Sequence, residues 1–91
     1  MSQENQVLIG KKPLMNYVVA CLTLFNHGAD EIVLRARGRA ISRAVDVAEM
    51  LRRVFIKDLA IKSITMGSEE LQRPEGGTAN VSIMEITLNK K

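Results

Sequence analysis

The stretch that decides the fold is Arg35-Ala-Arg-Gly-Arg-Ala-Ile-Ser42, in which arginines stand at alternate positions. Before it, Glu31-Ile-Val-Leu34 has the composition of a β-strand, and after it apolar residues recur at helical spacing over 41–55. Alternate residues of a strand point to one face, so Arg35 and Arg37 are expected on the same side. The stretch therefore predicts a strand-to-helix junction with a cluster of positive charge, which is either an ordinary solvated surface or a binding surface for an anionic polymer.

Working outward from this junction, the sequence predicts six elements in the order β-α-β-α-β-β. Apolar runs bounded by glycine, proline and polar residues mark them. The expected strands are 7–9, 31–37, 59–71 and 79–89, and the expected helices are 14–25 and 40–55. Because the first helix pattern is almost entirely apolar, we expect that helix to be mostly buried. The fold class that follows is an α/β two-layer fold with a four-stranded mixed sheet, in which 1–5 form a flexible tail and 6–91 a single domain.

The last two strands are expected to form a hairpin that projects from the body. Pro74, Gly76 and Gly77 mark the loop between them, and a thirteen-residue strand spans roughly 43 Å, against about 24 Å for the second helix. The apolar phase shifts between Ile61 and Ile64 and again after residue 83. Either each strand contains a bulge, or both faces of the hairpin base are covered. We favour the second interpretation, which places a partner subunit on the face away from the helices.

Composition narrows the class of protein. The chain has 91 residues, a formal net charge of +3 and a pI near 9.4. Residues 11–53 hold eight basic against four acidic residues, which indicates an anionic partner such as nucleic acid. Cys21, the only cysteine, excludes an internal disulfide and is expected in the core. No signal-peptide pattern or membrane-length apolar run is visible, so we expect a soluble cytoplasmic protein without a membrane partner.

Right-handed crossovers would bring the basic residues together. Both helices then begin at the same edge of the sheet, with Lys11 and Lys12 beside Arg37 and Arg39. Neither helix start has a serine, threonine, aspartate or asparagine at its N-cap position. The first-turn amides are therefore left for water or an anion. Together these features predict an extended phosphate-binding surface.

Catalytic motifs are absent from the sequence. There is no phosphate-binding loop, no GxSxG motif and no Cys/His pair at useful spacing. Glu69-Glu70 is a minor candidate for a metal site, and the lone His27 is best explained as a polar residue at a helix end. We expect no enzyme activity, no cofactor and no bound metal.

Two motifs carry a family resemblance. Ile9-Gly-Lys-Lys-Pro-Leu-Met-Asn-Tyr-Val18, followed by Ala36-Arg-Gly-Arg-Ala-Ile-Ser42, resembles the Alba family of archaeal chromatin proteins, and the resemblance extends over nearly the whole chain. It implies a homodimer, or a heterodimer with a paralogue, that coats and compacts double-stranded DNA without sequence preference. It also implies RNA binding and association with the chromosome.

The resemblance further implies roles for individual residues. Lys11 would be a reversibly acetylated lysine, served by an acetylase and a deacetylase, and Phe55 would contact a neighbouring dimer on DNA. The predicted nucleic-acid-binding residues are Lys11, Lys12, Asn16, Tyr17, Arg37, Arg39, Arg43 and Arg73. The hairpin departs from the family pattern, because Arg73 is outnumbered there by Glu69, Glu70 and Glu75, and this leaves hairpin contact with nucleic acid open.

Three functions remain open at this point. The leading interpretation is a chromatin protein that binds DNA and RNA. The first alternative is an RNA-binding subunit of a ribonucleoprotein such as ribonuclease P, which would use the same surface. The second, from another class, is a metal-dependent phosphoryl-transfer enzyme.

Overall fold

The secondary structure follows the predicted order. The computed structural model describes residues 5–90, and the elements are β1 (Gln6–Leu8), α1 (Leu14–Asn26), β2 (Glu31–Arg37), α2 (Ala40–Met50) with a π-helical turn (Leu51–Phe55), β3 (Leu59–Gln72) and β4 (Thr78–Lys90). The predicted α/β fold with a four-stranded mixed sheet is confirmed. The tail expected over 1–5 falls mainly on residues 1–4, which lie outside the described residues.

The sheet has the order β1-β2-β4-β3. β1 and β2 are parallel, and β4 lies antiparallel between β2 and β3. β3 therefore runs in the same direction as β2 and ends at the same edge of the sheet. β2 stops opposite Ile83, whereas β3 and β4 remain paired from Ser68 opposite Ser82 out to Gln72 opposite Thr78. These last pairs project as an arm, and the molecule reaches 46 Å in its longest dimension.

The core lies between the two helices and one face of the sheet. The alternate β2 residues Ile32 and Leu34 are fully buried, as are Leu88 of β4 and Cys21 of α1. Burial raises the pKa of the Cys21 thiol to about 12, in keeping with its predicted place in the core. Within residues 5–90, no helix has the combination of length and apolar character that a membrane crossing requires.

The expectation that α1 is mostly buried was wrong. Only one side of α1 is buried, and Met15 and Val19 are both about half exposed on the other side. A two-layer fold has the sheet on one side of each helix and solvent on the other. The apolar composition of α1 therefore does not translate into burial.

A bulge in β3 explains the first shift of apolar phase. The register slips between Ile61 and Ser63, so that Lys62 is the extra residue. Ile61 then stands opposite Leu88 and Ile64 opposite Ile86, and all four share the helix-facing side of the sheet, because directly opposed residues lie on one face. In β4 the pairing shows no slip at residues 83 and 84.

The uncovered apolar residues of the hairpin lie on the helix-facing side. Ile64 is 54% exposed and Met66 81% exposed, with Ile61 also exposed. We call these three residues the β3 patch. The opposite face of the sheet carries Arg35, Glu85 and Thr65, together with the apolar Leu8 and Ile83. The exposed apolar residues of the hairpin therefore do not support a partner on the face away from the helices, because the bulge keeps these residues in phase with the core.

Candidate nucleic-acid interface

The predicted basic residues meet at the edge of the sheet where both helices begin. The loop after β1 and the turn after β2 enclose an open cleft of about 400 Å³, lined by Ile9, Gly10, Lys11, Arg37, Arg39, Ala40 and Arg43. Lys12 is the next residue of the loop and is exposed. We call the surface formed by Lys11, Lys12, Arg37, Arg39 and Arg43 the basic edge.

Two side chains from the helices hold the loop that carries the lysines. The hydroxyl of Tyr17 accepts hydrogen bonds from the backbone amides of Gly10 at 3.0 Å and Lys12 at 2.9 Å. The guanidinium of Arg43 donates to the carbonyl of Gly10 at 3.0 Å and to that of Lys12. A β-carbon on Gly10 would lie 3.3 Å from the tyrosine hydroxyl, so the glycine allows this close approach. Lys11 is thus held between two anchored residues.

This arrangement changes the roles of two predicted binding residues. Tyr17 is only 7% exposed, so its ring is buried and its hydroxyl holds the loop in position. Arg43 lines the cleft, and its guanidinium also donates hydrogen bonds to the carbonyls of the loop. Sequence reasoning placed both residues at the site but missed the way they act, because their partners lie on separate elements of the fold.

Both helix starts lack a side-chain cap, as the sequence predicted. Pro13 precedes α1 and Arg39 precedes α2, and neither forms a capping side-chain hydrogen bond. Gly38 has a φ of 55°, a left-handed conformation that glycine adopts readily, and it turns the chain directly from β2 into α2. The positive end of each helix therefore adds to the potential of the basic edge.

Acidic residues neutralise part of the arginine cluster, and local sequence patterns do not predict this pairing. Arg35 binds Glu85 at 2.6 Å and Glu69 at 2.9 Å, and Arg37 binds the other oxygen of Glu69 at 3.1 Å. We call Arg35, Arg37, Glu69 and Glu85 the charge cluster. The pairing of Arg35 with Glu85 follows from the β2–β4 register, in which the two residues are directly opposite. Only knowledge of that register would have revealed the cluster.

Three further residues of the basic edge, Lys11, Lys12 and Arg39, differ from Arg37 in this respect. Among the ion pairs of residues 5–90, none includes Lys11, Lys12 or Arg39. All three are exposed, and their charges are therefore available to an anion. They are the part of the basic edge best suited to contact phosphate.

Other predicted residues lie apart from the cleft. Asn16 is exposed in the first turn of α1, and Arg73 is at the tip of the arm, where its backbone closes the loop with Gly77. Phe55 ends the π-helical turn at the opposite end of α2 and is 43% exposed. The described residues contain no group of three or more His, Cys, Asp or Glu side chains arranged to hold a metal ion.

Comparison with known proteins gives consistent matches. The sequence model of the Alba family matches residues 5–68. The DNA/RNA-binding protein Alba 1 of Archaeoglobus fulgidus is 57% identical over 88 residues, covering 97% of this chain and 98% of the relative. The DNA/RNA-binding protein Alba of Methanocella arvoryzae is 49% identical over 90 residues, covering 99% and 94% respectively. The solved structure of Alba from Thermoplasma volcanium superposes with a TM-score of 0.89 at 49% identity, covering 94% of this chain and 100% of that one.

The Tyr17 hydroxyl gives a direct test of the loop geometry. Tyr17→Phe removes the acceptor for two backbone amides, so the free energy of unfolding should fall by about 1–2 kcal/mol. Denaturant titration measures this change. Thr23→Val is the matched control, because the Thr23 hydroxyl also bonds a backbone group, at 2.9 Å, but on the exposed side of α1. Equal stability of the two variants would show that water replaces the tyrosine hydroxyl without cost.

Proposed function

The chain belongs to the Alba family, and from that membership and the basic edge we propose that it binds double-stranded DNA without sequence preference, and also RNA. Relatives in the family are named as DNA/RNA-binding proteins. We infer that the protein acts by binding and not by catalysis, and that it is associated with the chromosome, where it coats and compacts DNA as a homodimer.

The observation that carries this proposal is the set of exposed charges at two uncapped helix starts. Lys11, Lys12 and Arg39 are free of ion pairs within the described part of the chain, and helix N-termini favour phosphate. Phosphate contacts carry no information about sequence. A surface of this kind therefore supports affinity for nucleic acid in general.

The placement of the aromatic residues favours duplex over single-stranded ligands. Proteins that bind single strands stack bases on exposed aromatic rings. This chain has one tyrosine, two phenylalanines and no tryptophan. Tyr17 and Phe25 are buried, and Phe55 is at the other end of α2 from the basic edge. No aromatic ring of residues 5–90 is exposed beside the cleft, so the edge is suited to backbone phosphates.

We propose that the β3 patch is the interface of the homodimer. Its three apolar side chains are exposed in the single chain, and a symmetric interface that buries them against a second copy removes that apolar surface from water. The same patch would accommodate a closely related paralogue in a heterodimer. Two protomers joined in this way present two basic edges to one nucleic acid.

We assign further roles to residues outside the cleft. Asn16 and Arg73 would extend the contact along α1 and the arm. Lys11 is exposed on an anchored loop, where a lysine acetylase and a deacetylase can reach it, and acetylation would remove its charge and tune affinity. Phe55 would contact a neighbouring dimer on DNA.

The choice between DNA and RNA as the main ligand needs a direct competition. A ribonucleoprotein subunit would use the same basic edge, since both ligands offer phosphate. We expect labelled duplex DNA to be displaced by unlabelled duplex DNA at a lower concentration than by structured RNA at the same salt concentration. Preferential displacement by RNA would favour the ribonucleoprotein alternative.

Lys11→Gln mimics the acetylated residue and tests the basic edge. With Lys11, Lys12 and Arg39 contacting phosphate in both protomers, about six contacts form and the slope of log K against log salt should be near −5. The substitution removes two contacts per dimer, so the slope should become shallower by about 1.8. Affinity at about 0.15 M salt should then fall roughly thirtyfold.

The control for this experiment is Lys57→Gln, which removes the same charge from the turn at the opposite end of α2. Its slope should match that of the unmodified protein, and neither variant should change the melting temperature, because both lysines are exposed. A wild-type slope shallower than about −3, or an unchanged slope for Lys11→Gln, would contradict the proposed surface.

Met66→Glu tests the dimer interface. A charge buried in an apolar interface is costly, so the variant should sediment as a monomer of about 10.1 kDa at micromolar concentration, where the wild-type protein has twice that mass. Thr65→Glu is the matched control, because adjacent strand residues point to opposite faces. A Met66→Glu variant that stays dimeric would place the interface elsewhere.

Phe55→Ala tests contact between dimers. We expect the variant to remain dimeric, because Phe55 is not part of the β3 patch, and to bind a short duplex that holds one dimer with unchanged affinity. On a long duplex its binding isotherm should lose cooperativity. Cooperative binding equal to that of the wild-type protein would return Phe55 to a purely structural role.

A further inference from the structure

Glu69 stands where the arm leaves the body of the protein. It lies on β3 opposite Val81, two residues beyond Gly67, which pairs with the same β4 residue as the end of β2. From there its carboxylate reaches back to the body, with one oxygen 3.1 Å from Arg37 and the other 2.9 Å from Arg35. The arm therefore places an anion directly on an arginine that lines the basic cleft.

Arg37 would otherwise resemble the residues that are available to phosphate. It lines the cleft with Lys11 and Arg39, and its side chain is 53% exposed. Guanidinium groups bind carboxylates and phosphates with the same geometry. A carboxylate on Arg37 thus occupies a position that a phosphate could take.

The contact can be exchanged without leaving a charge unpaired. If Arg37 turns to a phosphate, Glu69 keeps its second partner, Arg35. Exposed ion pairs contribute little net stability in water, so little is lost when one of the two contacts is released. Glu69 is therefore placed to compete with a phosphate for Arg37 without blocking it permanently.

We propose that Glu69 is a built-in competitor for phosphate, which holds Arg37 and lowers the affinity of the basic edge for nucleic acid. This inference rests on the proposed function and identifies a residue that sets its strength. It also gives the arm an effect on binding that does not depend on the arm touching the ligand. Arg37 then contacts phosphate fully only when Glu69 is neutralised.

The test is the binding of duplex DNA by Glu69→Gln across a series of salt concentrations. Release of Arg37 should add one phosphate contact per protomer, which steepens the salt slope by about 0.9 and raises affinity on the order of fivefold at about 0.15 M salt for each protomer. Glu70→Gln is the matched control. It removes the same charge one residue along β3, on the other face, and Glu70 takes part in no ion pair of the described residues.

A double-mutant cycle with Arg37→Gln separates competition from a general charge effect. In the wild-type background, Arg37→Gln should cost less affinity than it does in the Glu69→Gln background, because Glu69 already occupies the arginine. In the Glu69→Gln background the same substitution should remove the whole gain. Melting temperatures of all variants would check that the fold is retained.

The outcomes distinguish this inference from the proposed function. Wild-type protein that binds with a steep salt slope, together with Glu69→Gln no tighter than Glu70→Gln, would overturn the inference alone. An equal cost of Arg37→Gln in both backgrounds would also overturn it, because Arg37 would then contact phosphate regardless of Glu69. Absence of salt-dependent binding by every protein in the set would overturn the proposed function and this inference with it.

Discussion

The structure depends on the antiparallel pairing of β4 with two strands of unequal length. β4 pairs with β2 only as far as Ile83, but with β3 along the whole of its length. The region where β2 is paired with β4 supports the helices and the core. The region where only β3 and β4 remain becomes the arm. The division of this small domain into a packed body and a projecting hairpin is therefore set by where β2 stops, at the arginine that also lines the basic cleft.

At the end of β2 the chain turns into α2 and also contacts the distant strand β4. The chain turns from β2 into α2 through Gly38, whose amide donates to the carbonyl of Ser82 at 2.8 Å. This bond connects the turn before α2 to the base of the arm. The loop after β1 is fixed by Tyr17 of α1 and by Arg43 of α2. These hydrogen bonds thus hold in place the two segments that carry the basic edge.

Local pattern was sufficient to predict much of this arrangement. The junction at 35–42, the helix starts and the hairpin loop are encoded by neighbouring residues, and each was placed within one or two positions. Contacts between distant segments were not predictable in the same way. The pairing of Glu69 with Arg37 depends on a register that no single segment specifies. The partial exposure of α1 depends on the number of layers in the fold. The side of the sheet on which Ile64 lies depends on a one-residue bulge. The pattern of apolar residues shows neither feature.

The bulge has a consequence for behaviour at high local concentration. An open sheet has two edges, and exposed edges can recruit further strands into fibres. Here one edge is β1, which is only three residues long. At the other edge, the β3 ladder is broken at Lys62, whose ammonium is held by Glu31 at 2.9 Å. The edge at β1 is therefore too short to template a further strand, and the bulge with its paired lysine interrupts the β3 edge near the body, although β3 is regular from Ser63 to Gln72. At the body of the molecule, two copies at high local concentration are thus hindered from joining sheet to sheet, and packing there is left to side-chain contacts.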